Sequence, residues 1–227
     1  MHVCLFDIDG TLLNTGGAGL AAMEAALASE FGTSASVEGI PMAGRTDRAI
    51  CADLFRFHGI AESDDAWRRF LEAYARHLPR QLAARDGLVM PGIPELLDRL
   101  AARGDVLLGL LTGNFPAGAR LKLEHYGLDR HFAFGGFGEK HHHRNDVARQ
   151  AIVELERFAR QDGHDVAACR VWVIGDTPAD VECGRAINAT VVAVCTGFYA
   201  MEALQAAEPD HLFVDFGEPE RFLTLLQ

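Results

Sequence analysis

The sequence predicts an α/β protein: a Rossmann-like, doubly wound parallel sheet with an all-helical block inserted after its first strand. Three observations lead there. Short apolar runs recur at 2–6 (HVCLF), 106–111 (VLLGLL), 171–174 (VWVI), 191–195 (VVAVC) and, more weakly, 211–214 (HLFV). Helical patterns lie between them at 94–103, 145–160 and 178–187, and apolar strands alternating with helices indicate a parallel sheet covered on both faces. The alternation fails between 17 and 84, where three helical stretches (18–31, 46–58 and 64–84) follow one another without a strand.

The segment 94–103 opens on Pro94 and stops before Gly104, the asymmetry that helix ends favour. Pro79 is expected to kink or end the third helix of the insert. Gly16-Gly17 on one side and Arg85-Asp86-Gly87 on the other are candidate hinges. The resulting division is an α/β core of residues 1–14 and 86–227 and a helical insert of residues 15–85, within the size range of one α/β domain carrying an insert.

Composition narrows the function classes. Hydrophobic residues make up 49% of the 227, enough for a sizeable core and too many for a disordered chain. No apolar run approaches the roughly 18 residues that span a bilayer, so no membrane partner is expected. MHVCLF runs straight into an acidic motif and does not resemble a secretory signal. The five cysteines, at 4, 51, 169, 183 and 195, include no CxxC pair and read as reduced thiols, which fits a cytoplasmic protein. A net charge of -11 repels nucleic acid. It leaves room for a small phosphorylated metabolite, provided the site supplies local positive charge or a metal ion. Oligomeric state is not predicted.

The feature that decides the chemistry is D-I-D-G-T at Asp7–Thr11, directly after the first strand. Two carboxylates two residues apart at a strand end converge on one point, and Gly10 lets the chain turn sharply between strand and loop. Open α/β sheets bind ligands outside the carboxyl ends of their strands. Three more polar groups follow strands in the same way: Thr112-Gly113-Asn114, Gly175-Asp176-Thr177-Pro178-Ala179-Asp180, and the basic run Lys140 to Arg144 before the helix at 145. A Thr-Gly-Asn alone is a turn and a Gly-Asp before a helix alone is an N-cap. Four such groups at one sheet edge form a candidate site.

Taken together, DIDGTLLNT, LLTGN and VIGDTPADVECG resemble the first, second and fourth motifs of the haloacid dehalogenase (HAD) superfamily, in its phosphatase branch with a helical cap, of which phosphoglycolate phosphatases are an example. The likeness spans essentially the whole chain. It implies a Mg²⁺-dependent phosphatase acting on a small phosphate monoester, with Asp7 as nucleophile and Asp9 as general acid and base. It also implies that Asp7, the backbone carbonyl of Asp9, Asp176 and Asp180 surround the metal, and that Thr112, Gly113 and Asn114 hold the phosphoryl group. The third motif departs from the family pattern, because no Lys-Pro occurs. The chemistry still needs a cation beside Asp7. Arg144, which abuts the helix at 145, is preferred to Lys140 for that role. Gly44, Arg45 and Thr46 at the start of a cap helix are candidate substrate contacts by the same resemblance.

Other readings are weaker. A 2-haloacid dehalogenase generally lacks the second Asp and the metal. A phosphonate hydrolase needs a cap lysine, and residues 17–84 contain none. A phosphosugar mutase shares both aspartates and stays open, and a non-catalytic binding protein is expected to lose one of them. His141-His142-His143 reads as a solvated loop, because adjacent side chains point in different directions.

Overall fold

The computed structural model describes residues 1–33, 37, 39–162 and 169–227. Residues 34–36 and 38 of the expected cap lie outside the described residues. Six strands form a wholly parallel sheet: β1 (His2–Phe6), β4 (Val106–Thr112), β5 (Phe134–Phe137), β6 (Arg170–Gly175), β7 (Thr190–Val194) and β8 (His211–Phe213), in the order β5-β4-β1-β6-β7-β8. This is the doubly wound α/β fold that the sequence predicts. The order reverses at β1, and a crevice therefore opens between the ends of β1 and its neighbours.

Alternation along the strands explains why both faces are covered. Cys4 and Phe6 point into a cluster with Leu108, Leu110, Trp172 and Ile174, closed by helix α4 (Ile93–Ala101) and by α9 (Pro219–Leu223). Val3 and Leu5 point the other way, into Val147, Ala148, Ala151 and Leu155 of α6 (Arg144–Asp162) and Cys183 of α7 (Pro178–Arg185). The sequence reading did not separate β5 or α5 (Pro116–His125), because F-G-G-F is short and glycine-rich and the lone Pro116 reads as a turn.

Three helices make up the inserted block: α1 (Ala18–Phe31), α2 (Asp47–Phe57) and α3 (Asp64–Ala83). They build a core of their own from Leu27, Ile50, Leu54, Phe55, Phe70, Tyr74 and Leu78, which also takes in Phe115 at the start of α5. The chain enters and leaves this block through two short strands, β2 (Leu13–Asn14) and β3 (Leu88–Val89), paired antiparallel. Of the two outcomes expected at Pro79, a kink or an end, the helix does not end there and runs on to Ala83. Pro79 lies in the last turns, where one missing backbone bond is outweighed by burial of Leu78 and Leu82 on either side of it.

Phe70 is fully buried, edge-on to Phe55 at 5.8 Å and stacked near Trp67 and Tyr74. Phe70→Ala is expected to cost about 3–5 kcal/mol. Urea unfolding of the two proteins measures it, and a loss below about 1 kcal/mol would show that this cluster does not hold the helical block together.

Candidate active site

Register brings the polar loops together. Phe6 pairs with Leu110 on one side and Ile174 on the other, so Asp7, Thr112 and Asp176 all emerge at the same edge of the sheet. Asp7 continues the ladder by donating its N–H to Ile174 O at 2.9 Å. Gly10 then takes φ +91°, and a Cβ there would lie 2.3 Å from Asp176 Oδ2, so both backbone conformation and space require glycine.

Asp7, Asp176 and Asp180 are buried, and a carboxylate oxygen from each lies within 4.8 Å of the other two. Asp180 owes its place to a capping box at the start of α7. Thr177 is the N-cap, Pro178 follows, and the Asp180 carboxylate accepts from Thr177 N at 3.0 Å and from Thr177 Oγ1 at 2.7 Å. Its other oxygen accepts from Arg144, whose NH2 also lies 3.1 Å from Asp7 Oδ2. Thr11 Oγ1 donates to Asp176 at 2.9 Å. The donor set is three hard oxygen ligands around one point with a single guanidinium against them, which suits an oxygen-loving divalent cation. Burial raises the carboxyl of Asp7 above its usual range, opposed by Arg144 and reinforced by Asp180 and Asp9. Burial, then Asp180 and Asp7, raise that of Asp176. Burial also disfavours the charge on Arg144, but Asp180 and Asp7 more than offset this and keep it protonated.

The remaining residues singled out in the sequence fall as follows. Lys140 is exposed, whereas Arg144 is buried among the carboxylates. Thr112 is fully buried, and its Oγ1 accepts from Asn114 Nδ2 at 2.9 Å. Gly113 meets the cap: a Cβ there would sit 2.0 Å from Arg45 O, and Gly113 O accepts from Asp47 N at 2.7 Å. Gly44 approaches Thr177 and Ala179. Thr46 caps α2 through Ala49 N at 3.2 Å and donates to His142 O at 3.3 Å. The Arg45 guanidinium is held within the cap by Asp53 Oδ2 at 2.6 Å and by the carbonyls of Pro41 and Ala49. His142 and His143 are exposed, and the three histidines form no metal-capable group among the described residues.

Two charged residues went unnoticed in the sequence. Lys122, on α5, is buried and its ammonium donates to both oxygens of Asp9, at 2.8 and 2.6 Å, and to Asn114 Oδ1 at 2.7 Å. Asn114 Nδ2 completes the network at 2.7 Å from Asp9 Oδ2. A compositional signal was present, since Lys122 and Lys140 are the only lysines in the chain. Asp47, one residue beyond Thr46, is buried and accepts from Phe115 N at 3.0 Å. All of this surrounds a cavity of about 350 Å³, roofed by Leu20, Met23, Met42, Ile50 and Tyr74 of the helical block.

A doubly wound sheet with a carboxylate cluster at its switch point, covered by a helical insert, is the architecture of a capped Rossmann-like enzyme with a carboxylate-built site. The chain belongs to the haloacid dehalogenase-like hydrolases, whose family model matches residues 4–185. It is 29% identical over 202 residues to a phosphoglycolate phosphatase of Mesorhizobium japonicum, covering 86% of this chain and 83% of that one. It is also 29% identical over 223 residues to one of Rhodospirillum rubrum, covering 93% and 86%. Among solved structures, CbbY from Rhodobacter sphaeroides in complex with phosphate superposes with a TM-score of 0.71 at 17% identity, covering 96% of each chain.

Asp47 gives a testable pH dependence. Burial, which outweighs Lys122 and the Phe115 N–H, pushes its carboxyl up to about 7 from 3.8. Below 3.8 both folded and unfolded forms carry the proton. Between 3.8 and about 7 the unfolded chain ionises and the folded one does not, so stability falls with rising pH. Asp47→Asn keeps an acceptor for Phe115 N–H and removes this term. In urea unfolding at pH 5 and pH 8 (chosen to bracket the raised value) the wild type should lose more stability than the variant; parallel losses would show that Asp47 ionises normally.

Proposed function

We propose that this phosphatase hydrolyses a small phosphate monoester, phosphoglycolate first among the candidates, through an aspartyl-phosphate on Asp7 with Mg²⁺ in the carboxylate cluster. The observation that carries the reading is Asp7 itself: a buried carboxylate at the end of the central strand, 3.1 Å from a buried guanidinium and part of a three-carboxylate group. Phosphoglycolate enters through the relatives at 29% identity.

Asp7, Asp176, the backbone carbonyl of Asp9 and Asp180 would hold the ion, with Asp180 acting directly or through water because protein donors already engage both of its oxygens. When bound, Mg²⁺ would supply positive charge that offsets the repulsion between the Asp7 carboxylate and the phosphoryl group. The residues do the rest. Arg144 aligns Asp7 and offsets its charge. Thr112 Oγ1 and backbone N–H groups after β4 hold phosphoryl oxygens. An Asp7 oxygen attacks phosphorus, the bond to the ester oxygen breaks, and Asp9 gives that oxygen a proton. Asp9 then takes a proton from water, which attacks the aspartyl-phosphate and releases phosphate with Asp7 regenerated. Residues 15–85 serve as a cap that excludes bulk water, moving on the paired entry and exit strands.

A phosphate-release screen over phosphorylated metabolites tests the reading. Asp7→Asn should abolish turnover and leave the fold intact. Arg144→Ala should lower it by about 10²-fold or more, with little effect from Lys140→Ala; the reverse ranking would transfer the role to Lys140. Dialysis against EDTA should stop the reaction, Mg²⁺ should restore it, and Ca²⁺ should inhibit through its looser coordination shell. Full activity in chelator would refute the metal assignment.

A further inference from the structure

Three cations line the cavity: Arg45, Lys122 and Arg144. Arg144 is committed to Asp7 and Asp180, and the Arg45 guanidinium to Asp53 and two carbonyls. Lys122 is different. Its side chain is 5% exposed, and its main partner, the carboxylate of Asp9, is 42% exposed on a loop. Asp9 is therefore free to swing out, whereas Lys122 is fixed in the floor of the cavity. With Asp9 gone, Lys122 would keep only Asn114 Oδ1 and the field of Asp47, whose carboxyl burial holds toward its neutral form, so exchange of Asp9 for another anion is favoured over simple release. In this arrangement the Asp9 carboxylate is turned toward protein donors, which take about three of its four acceptor sites, and its release frees both oxygens to meet the ester oxygen. Here Lys122 Nζ reaches both of its oxygens and Asn114 Nδ2 reaches one.

The slot shows which anion fits. It now holds a carboxylate, with two bonds from Lys122 Nζ at 2.8 and 2.6 Å and one from Asn114 Nδ2 at 2.7 Å. The cap closes over it with small or apolar groups: a Cβ built on Gly19 would lie 3.5 Å from both Lys122 Nζ and Tyr74 Oη, and Leu20, Met23 and Ile50 extend the wall. We infer that Lys122, with Asn114 Nδ2, receives a carboxylate carried by the substrate, and that this carboxylate displaces Asp9 from the slot. The substrate class is then a small phosphate monoester with a carboxylate on a short spacer. The inference deepens the phosphatase reading and rests on it only for the phosphate half of the ligand.

The test compares two esters of equal length, phosphoglycolate and hydroxyethyl phosphate, on wild type, Lys122→Met and Lys122→Arg in saturating Mg²⁺. The wild type should favour the carboxylate ester in kcat/KM by about 30- to 1,000-fold, the range expected for a buried charge pair. Lys122→Met should bring that ratio close to unity whatever its effect on the absolute rate, and Lys122→Arg should retain part of it. If both esters lose activity by the same factor and the ratio persists, Lys122 only positions Asp9 and the inference is overturned. Calorimetric binding of phosphonopropionate against propylphosphonate gives a readout without turnover: wild type should prefer the former and Lys122→Met should not. Should wild type release phosphate from neither ester, the phosphatase reading fails, and the binding pair alone decides the role of Lys122.

Discussion

Burial of Asp7, Asp176 and Asp180 within 4.8 Å of one another, with Arg144 between two of them, is the constraint on which the rest of the structure depends. Like charges in a low-dielectric site repel, and a fold keeps such a group only if its backbone leaves the carboxylates no alternative position. Three elements enforce this. The β1–β6 register fixes Asp7 beside Asp176, the capping box of α7 fixes Asp180, and the first residue of α6 delivers Arg144. A cation at a helix N-terminus is unfavourable by itself. Two buried carboxylates reverse that preference, so this position works for Arg144 only because the cluster exists.

The helical block is tied to the same point by backbone as well as side chains. Asp47 N binds Gly113 O and Arg48 N binds Gly138 O, so the start of α2 is joined to the loops after β4 and β5. Gly113 is glycine because the Arg45 carbonyl occupies the space that a side chain would need. Any displacement of the cap thus moves groups that touch Gly113, Phe115 and Gly138. Substrate fit and the geometry beside Asp7 are mechanically linked, which is how a cap can make chemistry depend on the correct ligand.

Much of this was legible in the sequence, for physical reasons. Apolar runs such as VLLGLL and VWVI that alternate with helices indicate strands buried on both faces of a parallel sheet, and the polar residues that end them then share an edge. The convergence of Asp7, Thr112 and Asp176 follows from strand order. Arg144 was readable because the chemistry demanded a cation and the loop before α6 offered only two. Lys122 and Asp47 were not readable in this way. Each lies on a helix, where a single charged residue is indistinguishable from an ordinary solvated one until the packing of α5 against the cap is known.

Arg144 and Lys122 divide the work according to their chemistry. Arg144 meets both carboxylates through Nη2 and cannot lose its proton, which suits a permanent place between Asp7 and Asp180. Lys122 presents a compact ammonium whose partners need only approach within hydrogen-bonding reach, which suits a place where one carboxylate replaces another. The chain carries 21 Lys and Arg residues, of which only two are Lys, so a lysine in the cavity floor stands against the compositional trend. An arginine there would grip Asp9 with two parallel bonds in a fixed plane and resist the exchange. A neutral residue would leave Asp9 with Asn114 Nδ2 alone and the cavity, already rich in carboxylates, without a cation in this slot for a negatively charged ligand. A buried but exchangeable cation meets both requirements: it stabilises the resting site and, on release of Asp9, becomes the positive end of the substrate pocket.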